Sequence, residues 1–175
     1  EVHGQLTFTN SRLQSHDLKV NLYDQPTSLK VETFAEDSEG IYNIRVDIDS
    51  QWNLEKLPLE LANLLQGFYQ GETRIQSKIN LVLDEEGRNL DMNLNADFNQ
   101  VALTLPAPLN KAKGLPLVLE AKVVGNEEST FISAHLGKVA QLNFSINHQQ
   151  TKNRTHYDLM VGRLMQPNDR LLQQD

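Results

Sequence analysis

The chain has 175 residues, 39% of them hydrophobic, with a formal net charge of −7 and no cysteine. That length fits one domain or a piece cut from something larger, and the missing cysteines exclude disulfides, thiolate metal sites and cysteine nucleophiles. The acidic balance, with Lys111 and Lys113 the densest basic pair, excludes a nucleic-acid partner, because phosphate binding needs clustered lysine and arginine.

Val2, Gly4, Leu6 and Phe8 alternate with polar residues, the period of two that marks a half-buried strand. Ser11 to His16 reads as a polar connection, and Leu18, Val20 and Leu22 resume the period. Asp24-Gln25-Pro26 is expected to turn the chain into a third strand carrying Leu29, Val31 and Thr33. Glu36 to Gly40 is turn chemistry, after which Tyr42, Ile44, Val46 and Ile48 alternate with Asn43, Arg45, Asp47 and Asp49. The result is an antiparallel meander with short links.

The period then changes once. Leu57, Leu61, Leu64, Leu65 and Phe68 share one face of a helix of about 9–11 residues, with Pro58 in its first turn and Gly67 as its stop. A helix that short needs a partner, and covering an open edge of the β structure is the role expected for it. Thr73, Ile75, Ser77, Ile79, Leu81 and Leu83 make a long strand, and Asp84 to Gly87 turn it into its partner, Asn89 to Leu105. There Leu90, Met92, Leu94, Ala96 and Phe98 are even-numbered, whereas Val101, Leu103 and Leu105 are odd. One extra residue near Asn99–Gln100, a β-bulge, returns the apolar residues to the same side. The run would reach roughly 55 Å if extended, and it ends at Pro106-Ala107-Pro108. Strands follow at Leu115–Val123, Phe131–Leu136, Ala140–Ile146 and Tyr157–Val161, with a polar stretch from Gln149 to Arg154. The fold class expected is all-β: a long, curved, mostly antiparallel sheet, a groove or trough, with one short capping α-helix near 57–67. Residues 1–165 read as one domain or groove segment and 166–175 as a frayed tail.

No catalytic constellation accompanies these strands. The five histidines lie far apart, and only His148 and His156, flanking one hairpin, could approach each other. Asp84, Glu85 and Glu86 read as a solvated acidic turn rather than as paired carboxylates for acid/base work. The row Asp91, Asn93, Asn95, Asp97 and Asn99 lacks the glycine turns of calcium-binding β-rolls and reads as a hydrated outer face. The expectation is a non-enzyme without metal or cofactor. What remains is the apolar face, which either fills the core of an ordinary closed sandwich or lines an open trough for acyl chains. At roughly 0.8 kcal/mol per buried CH₂, a dozen contacted methylenes would hold a lipid tail.

The run Leu105-Pro106-Ala107-Pro108-Leu109-Asn110-Lys111, with the strand after Gly114, resembles the LPxPLxK signature of the AsmA-like family, specifically its YhdP type. An early Gly4-Gln5-Leu6-Thr7-Phe8 strand, a Gln25-Pro26 turn, a leucine-rich helix ending at Gly67 and a long hairpin before the proline loop are similar too. The resemblance spans roughly Gly4 to Val123. It implies an internal segment of a Gram-negative envelope protein, anchored in the inner membrane by a helix outside this segment. Such a protein passes phospholipids across the periplasm to the outer membrane along a β-groove.

On that basis the partners expected are phospholipid acyl chains and the remainder of the same polypeptide, with the membrane reached only through the parent protein. This agrees with a chain that begins at Glu1 without a leader pattern and has no apolar run of the roughly 18–20 residues that span a bilayer. Lipid contacts are expected at Ile75, Ile79, Leu81, Met92, Leu94, Phe98, Leu117 and Leu119, the apolar-face residues of the longest neighbouring strands. The alternative is a closed β-sandwich acting as a structural or protein-binding module of an envelope protein. A carrier of lipopolysaccharide or lipoprotein would share the groove and differ in cargo.

Overall fold

Strict alternation of apolar and polar residues gives each strand one greasy face, and short turns between strands favour pairing with the next strand in sequence. The computed structural model describes residues 2–10, 12–35, 40–57, 67–85, 87–148 and 156–164. Its strands are β1 (Val2–Phe8), β2 (Arg12–Leu22), β3 (Gln25–Ala35), β4 (Tyr42–Asn53), β5 (Tyr69–Asp84), β6 (Gly87–Asp97), β7 (Val101–Leu103), β8 (Val118–Gly125), β9 (Ser129–Leu136), β10 (Ala140–Asn147) and β11 (His156–Leu164). All pair antiparallel in one curved, unclosed meander in the order β1-β2-β3-β4-β5-β6-β8-β9-β10-β11, with β7 beside the start of β5. Before the expected helix, Leu54–Lys56 make a single 3-10 turn capped by Asn53, whose side chain accepts from Glu55 N at 3.0 Å. The helix near 57–67 falls on residues 58–66, outside the described residues, as do the polar stretch at 149–155 and the tail from 165. Among the described residues, no helix is long and apolar enough to cross a membrane.

Three local expectations need correction. Ser11 to His16 is not a connection, because β2 already begins at Arg12. Residues 15–17 oppose only Lys30 and Val31 of β3, so a bulge breaks the alternation there and disguises the strand. Asp17 takes φ 50°, Ser15 Oγ accepts from Val31 N at 2.6 Å, and Gly4 of β1 lies so close that a Cβ would sit 2.8 Å from Leu18 Cα. The turn expected at Asp24-Gln25-Pro26 is Tyr23–Asp24, both at positive φ, as a two-residue hairpin turn of the right twist requires. Pro26 instead lies near the start of β3, opposite Asn21, where its missing N–H is tolerated. Finally, Leu115 and Leu117 precede β8 rather than opening it.

The bulge near Asn99–Gln100 is found. Arg74 opposes Asp97 and Gly71 opposes Val101, so Phe98, Asn99 and Gln100 face only Glu72 and Thr73. Gly71, at φ 119°, admits the carbonyl of Gln100 where a Cβ would sit 2.2 Å from its oxygen. Val101 and Leu103 therefore lie on the same face as Ile75 and Ile79. Together with Ala96 they are the only fully buried apolar side chains among the described residues.

Candidate functional site

Following the partners from strand to strand assigns every side chain to a face. Val31, Val46, Ile79, Met92, Val123, Ile132 and Phe144 form one rung across seven strands. At ~4.8 Å per strand that rung is roughly 29 Å wide. Neighbouring rungs carry Leu29, Ile48 and Leu94 on one side and Ile44, Leu81 and Leu90 on the other. No second layer lies on them: among the described residues, every substantial contact between elements joins hydrogen-bonded neighbours, or the 3-10 turn and β5. The closed-sandwich alternative requires a facing sheet, and the single layer does not supply one.

Six of the eight residues expected to touch lipid, Ile75, Ile79, Leu81, Met92, Leu94 and Leu119, are placed on this face by their strand partners, and all eight are half-buried. Ile79 opposes Met92, Leu81 opposes Leu90, and Ile75 opposes Ala96, which opposes Leu119. Leu94 faces Ser77. Phe98 and Leu117 lie just past the strand ends, tied together by the bond from Phe98 N to Leu117 O at 2.8 Å. Sequence reasoning stopped at β5, β6 and β8. The same alternation in β3, β4, β9 and β10 extends the face to Val31, Val46, Ile132 and Phe144, and their shared period was the available signal.

The opposite face is hydrated. Lys30, Asp47, Lys78, Asn93 and Lys122 form one rung, and Asp49, Gln76, Asn95, Glu120 and His135 the next. Both rungs line an open cavity of about 1340 Å³ running across the sheet. Its walls combine these charged and amide groups with Leu18, Leu29, Ile48, Leu94 and Ala121. Lys122 pairs with Asp91 at 3.3 Å, and Arg74 Nε donates to Asp49 Oδ1 at 2.8 Å, which holds the Asp49 carboxyl below its usual value. His148 bonds Thr130 Oγ1 at 2.8 Å, and His156 lies opposite Asn147 on β11.

The LPAPL loop does more than end a strand. Leu103 and Lys111 exchange both backbone hydrogen bonds, at 2.8 and 2.9 Å, so the loop folds back beside β7. The Lys111 ammonium then enters the bulge and donates to the carbonyls of Val101 at 2.6 Å, Ala112 at 3.1 Å and Asn99 at 3.4 Å. Three donors meet three acceptors in a site that leaves the residue 7% exposed. Burial lowers the Lys111 pKa, and the charge of Asp97 opposes that shift. Nothing in the sequence pattern marked this lysine as buried.

Comparison with known proteins agrees with the resemblance of the proline loop. The family model described as YhdP protein matches residues 1–174. Over 135 residues, 77% of this chain, the sequence is 29% identical to the intermembrane phospholipid transporter YhdP of Escherichia coli (strain K12). The chain spans about 10% of that relative's length. No solved structure matches it. The match along nearly its whole length places the chain in the YhdP protein family.

Proposed function

We propose that this chain is one segment of a periplasmic, bridge-like protein, anchored in the inner membrane, that conducts phospholipids between the inner and outer membranes. The observation that carries the reading is that, among the described residues, an apolar face many strands wide has no layer over it and only three apolar side chains are fully buried. Exposed apolar surface on this scale is costly in water unless it has an occupant. Acyl chains fit an aliphatic face without polar anchors, and each contacted methylene contributes roughly 0.8 kcal/mol. The name of the Escherichia coli relative supplies the lipid class. No step in this reading makes or breaks a covalent bond, so the function is transport without catalysis.

The remainder of the same polypeptide is the partner at the sheet edges. Among the described residues β1 has no strand on its outer side, and Val2, Leu6 and Phe8 are 68, 49 and 67% exposed. An unpaired apolar edge is a template for another strand, and neighbouring segments of the parent would continue the sheet there. The membrane is reached only through that parent.

Photo-crosslinking in cells tests the proposal. Photoreactive side chains replacing Ile79 or Met92 in the full-length protein should yield phospholipid adducts, and those replacing Lys78 or Asn93 on the opposite face should not. Equal labelling of the two faces, or none at Ile79 and Met92, would overturn the lipid path.

A further inference from the structure

Most polar side chains at the Trp52 end of the apolar face are used within the protein. Thr27 Oγ1 and Ser50 Oγ share a bond of 2.7 Å, and Thr73 Oγ1 donates to Asp97 O at 2.8 Å. Gln25 accepts from Asn53 N at 3.1 Å. Two groups break this pattern: the indole Nε1 of Trp52 and the phenol oxygen of Tyr69 are buried without any partner. Trp52 opposes Thr73, and Tyr69 precedes Thr73 by four residues on the same strand, so the period of two puts both on the apolar face. Their Cα atoms are thus roughly 14 Å apart.

Buried Trp N–H and Tyr O–H groups nearly always have partners. The other two orphan atoms, Asn99 Oδ1 and Asn143 Oδ1, sit at or beside bulges, and rotating an amide exchanges acceptor for donor. A ring N–H has no such escape, being a donor only. Other rings gather at the same end: Tyr23 packs edge-on against Trp52 at 6.2 Å, and Phe68 adjoins Tyr69. Aromatic bodies with polar tips suit the boundary between an apolar chain and a polar head.

We propose that Trp52 Nε1–H and Tyr69 Oη–H, both closed off from solvent, are exposed by rotation of their rings when a lipid arrives and donate to the oxygens of its headgroup, the ester carbonyls or phosphate. They mark where a head rests while its acyl chains lie over Ile75, Ile79 and Met92. The inference rests on the apolar face being the lipid path. It adds a point of polar recognition to a surface otherwise indifferent to head chemistry, and so a place where phospholipids pause or are selected.

The test uses purified full-length protein, its Tyr69→Phe and Trp52→Phe variants, and three fluorescent probes with equal alkyl chains: a phosphatidylglycerol, a fatty acid and a headless alkane. Each variant is expected to weaken phosphatidylglycerol about ten-fold, the share of one charge-assisted hydrogen bond, while the alkane binds as before. The thermal midpoint should hold or rise, because an unpaired polar atom has been removed. Tyr69→Phe keeps the ring in place, so it decides the matter if Trp52→Phe disturbs packing. Loss confined to phosphatidylglycerol assigns the contact to ester or phosphate oxygens, and loss shared with the fatty acid assigns it to any anionic head. Unchanged phosphatidylglycerol binding, or equal loss of the alkane, would overturn the headgroup site and leave the lipid path standing. Failure of the unmodified protein to bind any of the three would instead sink the lipid path itself.

Discussion

Val101 and Val123 are the same residue on the same face of one sheet, and their surroundings have little in common. Val101 is completely buried at the lip where β7, the bulge and the LPAPL loop meet, with Leu103, Ala96 and the caged Lys111 beside it. Val123, in the middle of the span, is half-buried between Met92 and Ile132, and among the described residues no second layer faces it. The lip is packed as a protein core is packed. The span is half of a core, lacking its other half. On the proposed lipid path, stability and lipid contact are divided between these regions, and the division can be attacked by substitution.

The largest effect is expected from truncating the lip. Leu103→Ala removes a 6% exposed side chain from a small, closed cluster and should cost about 2–5 kcal/mol, read as a lower denaturant midpoint. Leu94→Ala deletes the same atoms from the half-buried span and should cost on the order of 1 kcal/mol, since much of the side chain already meets solvent or ligand. Lipid retention should move the other way, lost by Leu94→Ala and kept by whatever Leu103→Ala protein still folds. Equal destabilisation at the two sites would mean that the span is covered after all.

A smaller effect is expected at the lysine. Lys111→Met keeps the aliphatic stem and strips the ammonium from three carbonyls, leaving buried acceptors bare at about 1–3 kcal/mol. The loss is local. Amide hydrogen exchange should accelerate at Val101 and Leu103, whose backbone bonds run to Phe98 and Lys111, and stay unchanged at Ile79. Uniform acceleration would show that lip and span unfold as one unit.

These two regions also divide what could be read from the residues alone. The span was legible because alternation is a local signal: Ile75, Ile79, Met92 and Leu94 announce their face through spacing alone. Even the bulge at 98–100 was visible as a change of phase. What hid was whatever depends on segments meeting. The bulge in β2 scrambled the period, so Ser11 to His16 looked like a loop. Tyr23–Asp24 turns on two non-glycine residues at positive φ, which turn preferences do not favour for a tyrosine. The burial of Lys111 went unread, because it takes three carbonyls brought in from Asn99, Val101 and Ala112. Trp52 and Tyr69 could be called aromatic, and only the fold shows that their polar atoms lack partners. The resemblance of the proline loop pointed to the family without explaining the loop, whose lysine turns out to be what it delivers.

The smallest expected effect lies on the hydrated face and bounds what that face contributes. Asp49 accepts two hydrogen bonds from Arg74 and a longer one from Gln76, at 3.4 Å, and the first of these partners does most to hold its pKa down. A carboxyl whose pKa is lower folded than unfolded stabilises the fold above the unfolded value, near 3.8, where both states are ionised. As pH falls below that value the unfolded chain takes up the proton first, and the advantage vanishes once the folded carboxyl is protonated too. Asp49→Asn should therefore lower the urea midpoint slightly at pH 7, and the two midpoints should converge toward pH 3. Because the pair is exposed, 0.5 M salt should shrink the difference at pH 7 as well. A gap as large as that for Leu103→Ala, or one indifferent to pH and salt, would mean that the polar rungs help hold the sheet together. The contrast between a packed lip and an open span would then no longer account for its stability.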